Sequence, residues 1–172
     1  MNYLRMMLAC AALVSTAIAG AQNKPPQSSQ TLPAPKTLFA AVSEADLVRL
    51  VRAEGHMVDA MHPFDAPSVR GKTKDGVLFV LIGTACEKGG VRGCQGIMMQ
   101  VRYTADSKVT ADKINQANVS EAALSSWWDR EDKTVGFTRY VVLDDGVTWM
   151  NLRQNLRVLL SIEDNAQSIV FK

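Results

Sequence analysis

VLFVLIGTACEKGGVRGCQGIMMQVRYT, residues 77–104, holds two apolar runs on either side of a glycine-rich, charged segment that is bracketed by Cys86 and Cys94. Val77 to Ile82 is apolar without a break, the pattern of a central strand. GIMMQVRYT, residues 96–104, reads as its returning antiparallel partner. Working outward, SVRGKT at 68–73 reaches the first run through Lys74, Asp75 and Gly76. That triplet is a hairpin turn, because Asp and Gly tolerate the positive φ such turns demand. HMVDAMH at 56–62 reads as one more short strand, closed off by the proline-punctuated PFDAP.

The flanks supply helices. SEADLVRLVRAEG, residues 43–55, starts at a capping Ser43, has Glu44 and Asp46 in its first turn and stops at Gly55. Leu47, Leu50 and Val51 recur there at helical spacing. TADKINQANVS, residues 110–120, is a second helix capped by Thr110. ALSSWWDRE and TVGFTRYVVL, residues 123–131 and 134–143, form a second hairpin rich in aromatic and β-branched side chains. From about Thr148 to Val170, Trp149, Leu152, Leu156, Leu159, Ile162, Ala166 and Ile169 make one apolar stripe of a long terminal helix. The expected fold is α+β, an antiparallel sheet of five to six strands packed by helices, in the order α-ββββ-α-ββ-α.

The N-terminus reads as an export signal. Residues 1–21 have a charge at Arg5, an apolar run from Met6 to Ile18 and the small residues Ala19, Gly20 and Ala21, so cleavage is expected before Gln22, removing Cys10. The run is short for a membrane span. QNKPPQSSQTLPAPK, residues 22–36, offers only Leu32 as a large apolar side chain and is expected to be a flexible leader, leaving one domain at 37–172. Loss of Arg5 lowers the formal charge from +2 to +1, with basic residues scattered. Such a balance gives no electrostatic case for nucleic acid.

Taken together, the ADLVRLVRAEG helix, the strand-Cys86-polar loop-Cys94 unit, the INQAN helix, the aromatic hairpin and LDDGVTWMNLRQNL resemble the secreted branch of the YbjN-domain family over residues 43–165. The elements most like the family are Cys86 with Cys94, Ile114-Asn115, Asp145-Gly146 and Asn155-Leu156. Proteins of that family are regarded as bacterial sensory transduction regulators with a fold similar to that of type III secretion chaperones. The resemblance implies a small α+β domain of regulatory or interaction type, with no catalytic residues to carry over.

Candidate sites follow from residue chemistry. In an exported chain, Cys86 and Cys94 at facing ends of adjacent strands suit a disulfide worth about 2–3 kcal/mol. Lys88 and Arg92 between them would also favour a reactive dithiol. His56 and His62 have no equally good third ligand for zinc or copper, and no nucleophile or ordered acid accompanies them for base chemistry. Asp129, Glu131, Asp132, Asp144 and Asp145 read as turn residues lacking the alternation of a calcium loop. GGVRG, residues 89–93, lacks the Lys-Ser/Thr ending of a phosphate loop.

Trp127, Trp128 and Trp149 are the candidates for partner binding. Adjacent strand residues point to opposite faces, so Trp127 and Trp128 cannot share one core. The expectation is an exported, non-catalytic domain, periplasmic or secreted, that binds a protein or peptide partner or a second copy of itself. It requires no cofactor, no metal and, after cleavage, no membrane. A thiol-based periplasmic stress sensor and a small periplasmic enzyme are the alternatives.

Overall fold

A computed structural model describes residues 37–172. The expected signal peptide at 1–21, Cys10 within it and the leader at 22–36 lie outside the described residues. The elements are β1 (Leu38–Phe39), α1 (Glu44–Ala53), β2 (Met57–Met61), β3 (Ser68–Lys72), β4 (Leu78–Cys86), β5 (Cys94–Thr104), α2 (Ala111–Ser120), β6 (Ser125–Asp129), β7 (Thr134–Val142), β8 (Val147–Thr148) and α3 (Trp149–Phe171). The expected α-ββββ-α-ββ-α order is therefore present. β1 and β8 are additions that pair with each other in a separate two-stranded ribbon. Two-residue strands have no periodicity to read.

Local chemistry explains the ends of the helices. Ser43 and Asp46 form a reciprocal capping box at α1, with Ser43 N–H donating to Asp46 Oδ2 at 2.9 Å. Thr110 and Thr148 cap α2 and α3 by accepting from the backbone three residues on.

All pairs of the six-stranded sheet are antiparallel, in the order β2-β3-β4-β5-β7-β6. β7 pairs with β5 as well as with its hairpin partner, which puts β6 at an edge. One side chain covers that edge at Ser126. Asn118 of α2 accepts from Ser126 N–H at 2.7 Å and donates to Ser126 O at 3.0 Å, replacing a neighbouring strand.

Alternation assigns the two faces. Val69, Leu81 and Met99 stand in one cross-strand row, and Phe79, Val101 and Phe137 in the next. They share a single core with Leu47 and Leu50 of α1, Ala117 of α2, and Leu152, Leu156 and Leu159 of α3. Each fully buried Leu or Phe contributes about 1.5–3 kcal/mol. The other face carries Val80, Ile82, Met98, Gln100, Arg102, Thr138 and Tyr140, with no helix across it among the described residues. The β2–β3 loop crosses part of it, bringing the Phe64 ring over the Arg102 guanidinium.

Cys86 and Cys94 are direct partners in the β4–β5 ladder and form a disulfide, their Cα atoms 3.8 Å apart. Cys94 is buried, and its backbone exchanges two hydrogen bonds of 2.9 Å with Val42, just before α1. The bridge thus lies where the chain leading into α1 meets the central hairpin. Gly93 is required there, because its φ is +94° and a Cβ would stand 2.9 Å from Val42 O.

Candidate interaction face

Trp127 and Trp128 stand opposite Gly136 and Val135, on opposite faces of the sheet. Trp128 packs against the core, with the Arg130 guanidinium 4.6 Å from its ring centroid. Trp127 lies flat on the helix-free face, over Gly136. A Cβ on Gly136 would come within 2.1 Å of the indole, so glycine provides its seat. Its Nε1 donates to Thr138 Oγ1 at 2.8 Å. Trp149, at the start of α3, contacts Phe39 at a centroid distance of 5.6 Å and lies under Arg49 at 4.3 Å.

Next to Trp127 is Arg102. Its guanidinium carbon is 5.7 Å from the Trp127 centroid and 4.8 Å from that of Phe64, which the β2–β3 loop carries. Arg102 donates through Nε (2.8 Å) and Nη2 (2.5 Å) to Gln100 Oε1, while Gln100 Nε2 donates to Thr138 Oγ1 at 2.8 Å. Thr138 therefore ties Gln100 and Trp127 into one network. Burial lowers the Arg102 pKa. A recess of about 280 Å³ adjoins the guanidinium, with Phe64, Leu78 and Val80 among its walls. Farther along the face, Leu78, Tyr140 and Val142 are 45%, 52% and 56% exposed, a continuation of apolar surface that a folded monomer ordinarily limits.

The histidines lie elsewhere. His56 borders a pocket of about 490 Å³, shared with Glu54, Lys74, Arg157 and Glu163. Burial lowers its pKa and Lys74 adds to that, against the opposing charge of Glu54, and its ring meets Phe79 edge-on at 5.3 Å. Two of the acids lining this pocket, Glu54 and Glu163, have structural partners. Glu54 binds both Arg153 and Arg157 of α3, tying the end of α1 to that helix. Burial alone would raise its pKa, but the two guanidinium contacts outweigh that and lower it. Glu163 is 3% exposed and accepts from the Tyr103 hydroxyl at 2.8 Å. Burial raises its pKa, helped by Asp164 and opposed by Tyr103. His62 Nδ1 lies 2.8 Å from Glu44 Oε2. Among the described residues no three His, Cys, Asp or Glu side chains cluster as metal ligands.

Sequence reading had singled out the tryptophans and histidines but not Phe64, Gln100, Arg102 or Thr138. A signal for two of them was present. Gln100 and Arg102 are polar residues two apart after the apolar Ile97-Met98-Met99 run, which places them on one face.

This is a two-layer α+β domain, with one sheet face under helices and the other free of helices among the described residues. The chain matches no protein-family model and no curated protein. Among solved structures it is similar to YbjN from E. coli, a proposed transcription regulator, with TM-score 0.50 and 14% identity over 75% of this chain and 96% of that one. It is also similar to a chain of the HopA1-SchA chaperone-effector complex, with TM-score 0.50 and 7% identity over 73% of this chain and 94% of that one. At these identities the likeness is one of fold.

Proposed function

We propose that the protein is an exported, non-catalytic interaction domain of the bacterial cell envelope, which binds a protein or peptide partner on the helix-free face of its sheet. One observation carries this reading: Trp127 lies flat on that face beside Arg102, with exposed Leu78, Tyr140 and Val142 extending the surface. Exposed aromatic and arginine side chains on a rigid surface are the residues most enriched in binding hot spots. The signal-like N-terminus and the Cys86–Cys94 bridge support export, since disulfides persist in oxidising compartments. The chaperone-effector neighbour, itself a protein-protein complex, supports a protein as the partner.

Site-specific photocross-linking tests this reading. A benzoylphenylalanine at position 140 should capture a discrete envelope protein, and one at position 119, on the 75% exposed Val119 of α2, should not. Adding Trp127→Ala should abolish the adduct. Equal capture at both positions, or none at 140, would end the proposal.

A further inference from the structure

We infer that the helix-free face takes an acidic peptide segment, with a carboxylate seated on Arg102 and a neighbouring aliphatic side chain in the recess beside it. This inference rests on the interaction-face reading above. A guanidinium has five N–H donors. In Arg102, Nε and Nη2 are engaged by the single oxygen of Gln100. Nη1 and the second N–H of Nη2 have no protein acceptor among the described residues. These form the outer edge of the fork, the pair that meets a carboxylate with two parallel hydrogen bonds.

Charge complementarity points the same way. Among the described residues no carboxylate lies within ion-pair distance of Arg102, as for most of the arginines, whereas Arg70 on the same recess has Asp59. Lys72 shares the cross-strand row of Leu78 on this face. An incoming carboxylate would supply the missing counter-charge. The Phe64 and Trp127 rings and the Gln100 oxygen already hold the guanidinium, so little side-chain freedom remains to be lost on binding.

The recess is about 280 Å³, and its walls combine Phe64, Leu78 and Val80 with Arg70, Gln100 and Arg102. Such a space suits one aliphatic side chain, with the rest of a peptide lying over the open apolar surface toward Tyr140. The β6 edge does not offer strand addition at Ser126, because Asn118 occupies that backbone. Recognition beside Ser126 therefore falls to side chains on the face.

The test is a random dodecapeptide library panned against the full, oxidised chain, followed by titration of the selected peptides by fluorescence anisotropy. Selected sequences should place Asp or Glu next to Leu, Ile or Val. Arg102→Gln should weaken them at least tenfold, and Arg102→Lys should weaken them less. Replacing the peptide's acid by its amide should weaken binding to the unsubstituted chain equally, and the amide form should no longer distinguish that chain from Arg102→Gln. Should Arg102→Gln fail to fold, the acid-to-amide comparison on the unsubstituted chain decides alone. Binders that need Trp127 but show no preference for acid over amide would overturn the carboxylate inference and leave the interaction face standing. Finding no binder sensitive to Trp127→Ala would overturn both.

Discussion

Trp127 and Trp128 are consecutive in sequence and side by side on one edge strand, yet they belong to different environments. Trp128 shares its cross-strand row with Val135 and Tyr103 and packs against the core beneath the helices. Trp127 shares its row with Gly136 and Arg102 and rests on polar and cationic neighbours. The same contrast holds across the sheet. On the covered face, apolar side chains fill the space against α1, α2 and α3, where stability depends on volume. On the open face, aromatic rings, an arginine and an amide hold one another in place on the surface. The covered face holds the fold together, and the open face presents a prearranged group of side chains.

Substitutions on the two faces should therefore fail in different ways. The largest expected effect is on the covered side: Phe137→Ala, at a fully buried position in the middle of the core, should cost about 3–5 kcal/mol by chemical denaturation. A loss below about 1 kcal/mol would mean that the covered face is not the main core. Replacing both cysteines by serine removes the cross-link at the end of the central hairpin and should cost about 2–3 kcal/mol. If the reduced form instead stayed equally stable and lost partner cross-linking, the bridge would act as a thiol switch.

Gly136→Ala places a methyl group under the Trp127 indole and should cost about 1–3 kcal/mol while shifting tryptophan emission. An unchanged spectrum would show that Trp127 does not depend on that glycine. Trp127→Ala should change stability by about 1 kcal/mol or less while removing partner capture, the reverse of the Phe137→Ala outcome.

The smallest effect is electrostatic. Burial raises the pKa of Glu163, so the fold disfavours its charged form. A carboxyl group whose folded pKa lies above its unfolded value binds more protons when folded, so stability falls as pH rises from the ordinary carboxylate range through the folded pKa. Glu163→Gln keeps an acceptor for the Tyr103 hydroxyl and removes this loss. The difference in unfolding free energy between Glu163→Gln and the unsubstituted chain should grow in favour of the glutamine as pH rises through that window. Glu54 has the opposite sign. Its lowered pKa makes its contribution present above the ordinary carboxylate range and lost on acidification, so Glu54→Gln should destabilise at neutral pH and progressively less in acid.

Much of the fold was legible because its signals are local and periodic. Ser43 and Thr110 announced helix starts, and the run from Val77 to Ile82 announced a central strand. The alternation rule separates Trp127 from Trp128 but does not say which lies under the helices. Glu163 was hidden because a single polar residue inside an apolar helical stripe looks like a break in the stripe, and only its Tyr103 partner, sixty residues away, makes its burial tolerable. Asn118 was hidden for a similar reason: nothing near it in sequence marks it as the closing partner of Ser126.

The sequence by itself determined the element order, the helix caps, the antiparallel central hairpin and the facing cysteines, since each depends on residues within a turn or two of one another. Only the tertiary structure decided that β7 would insert beside β5, that all three helices would cover one face, and that Phe64, Gln100, Arg102, Trp127 and Thr138 would meet on the other. Those residues come from the β2–β3 loop, β5, β6 and β7. What joins them is the strand order of the sheet, and strand order follows from the best collective burial of the core, which no short stretch of sequence encodes.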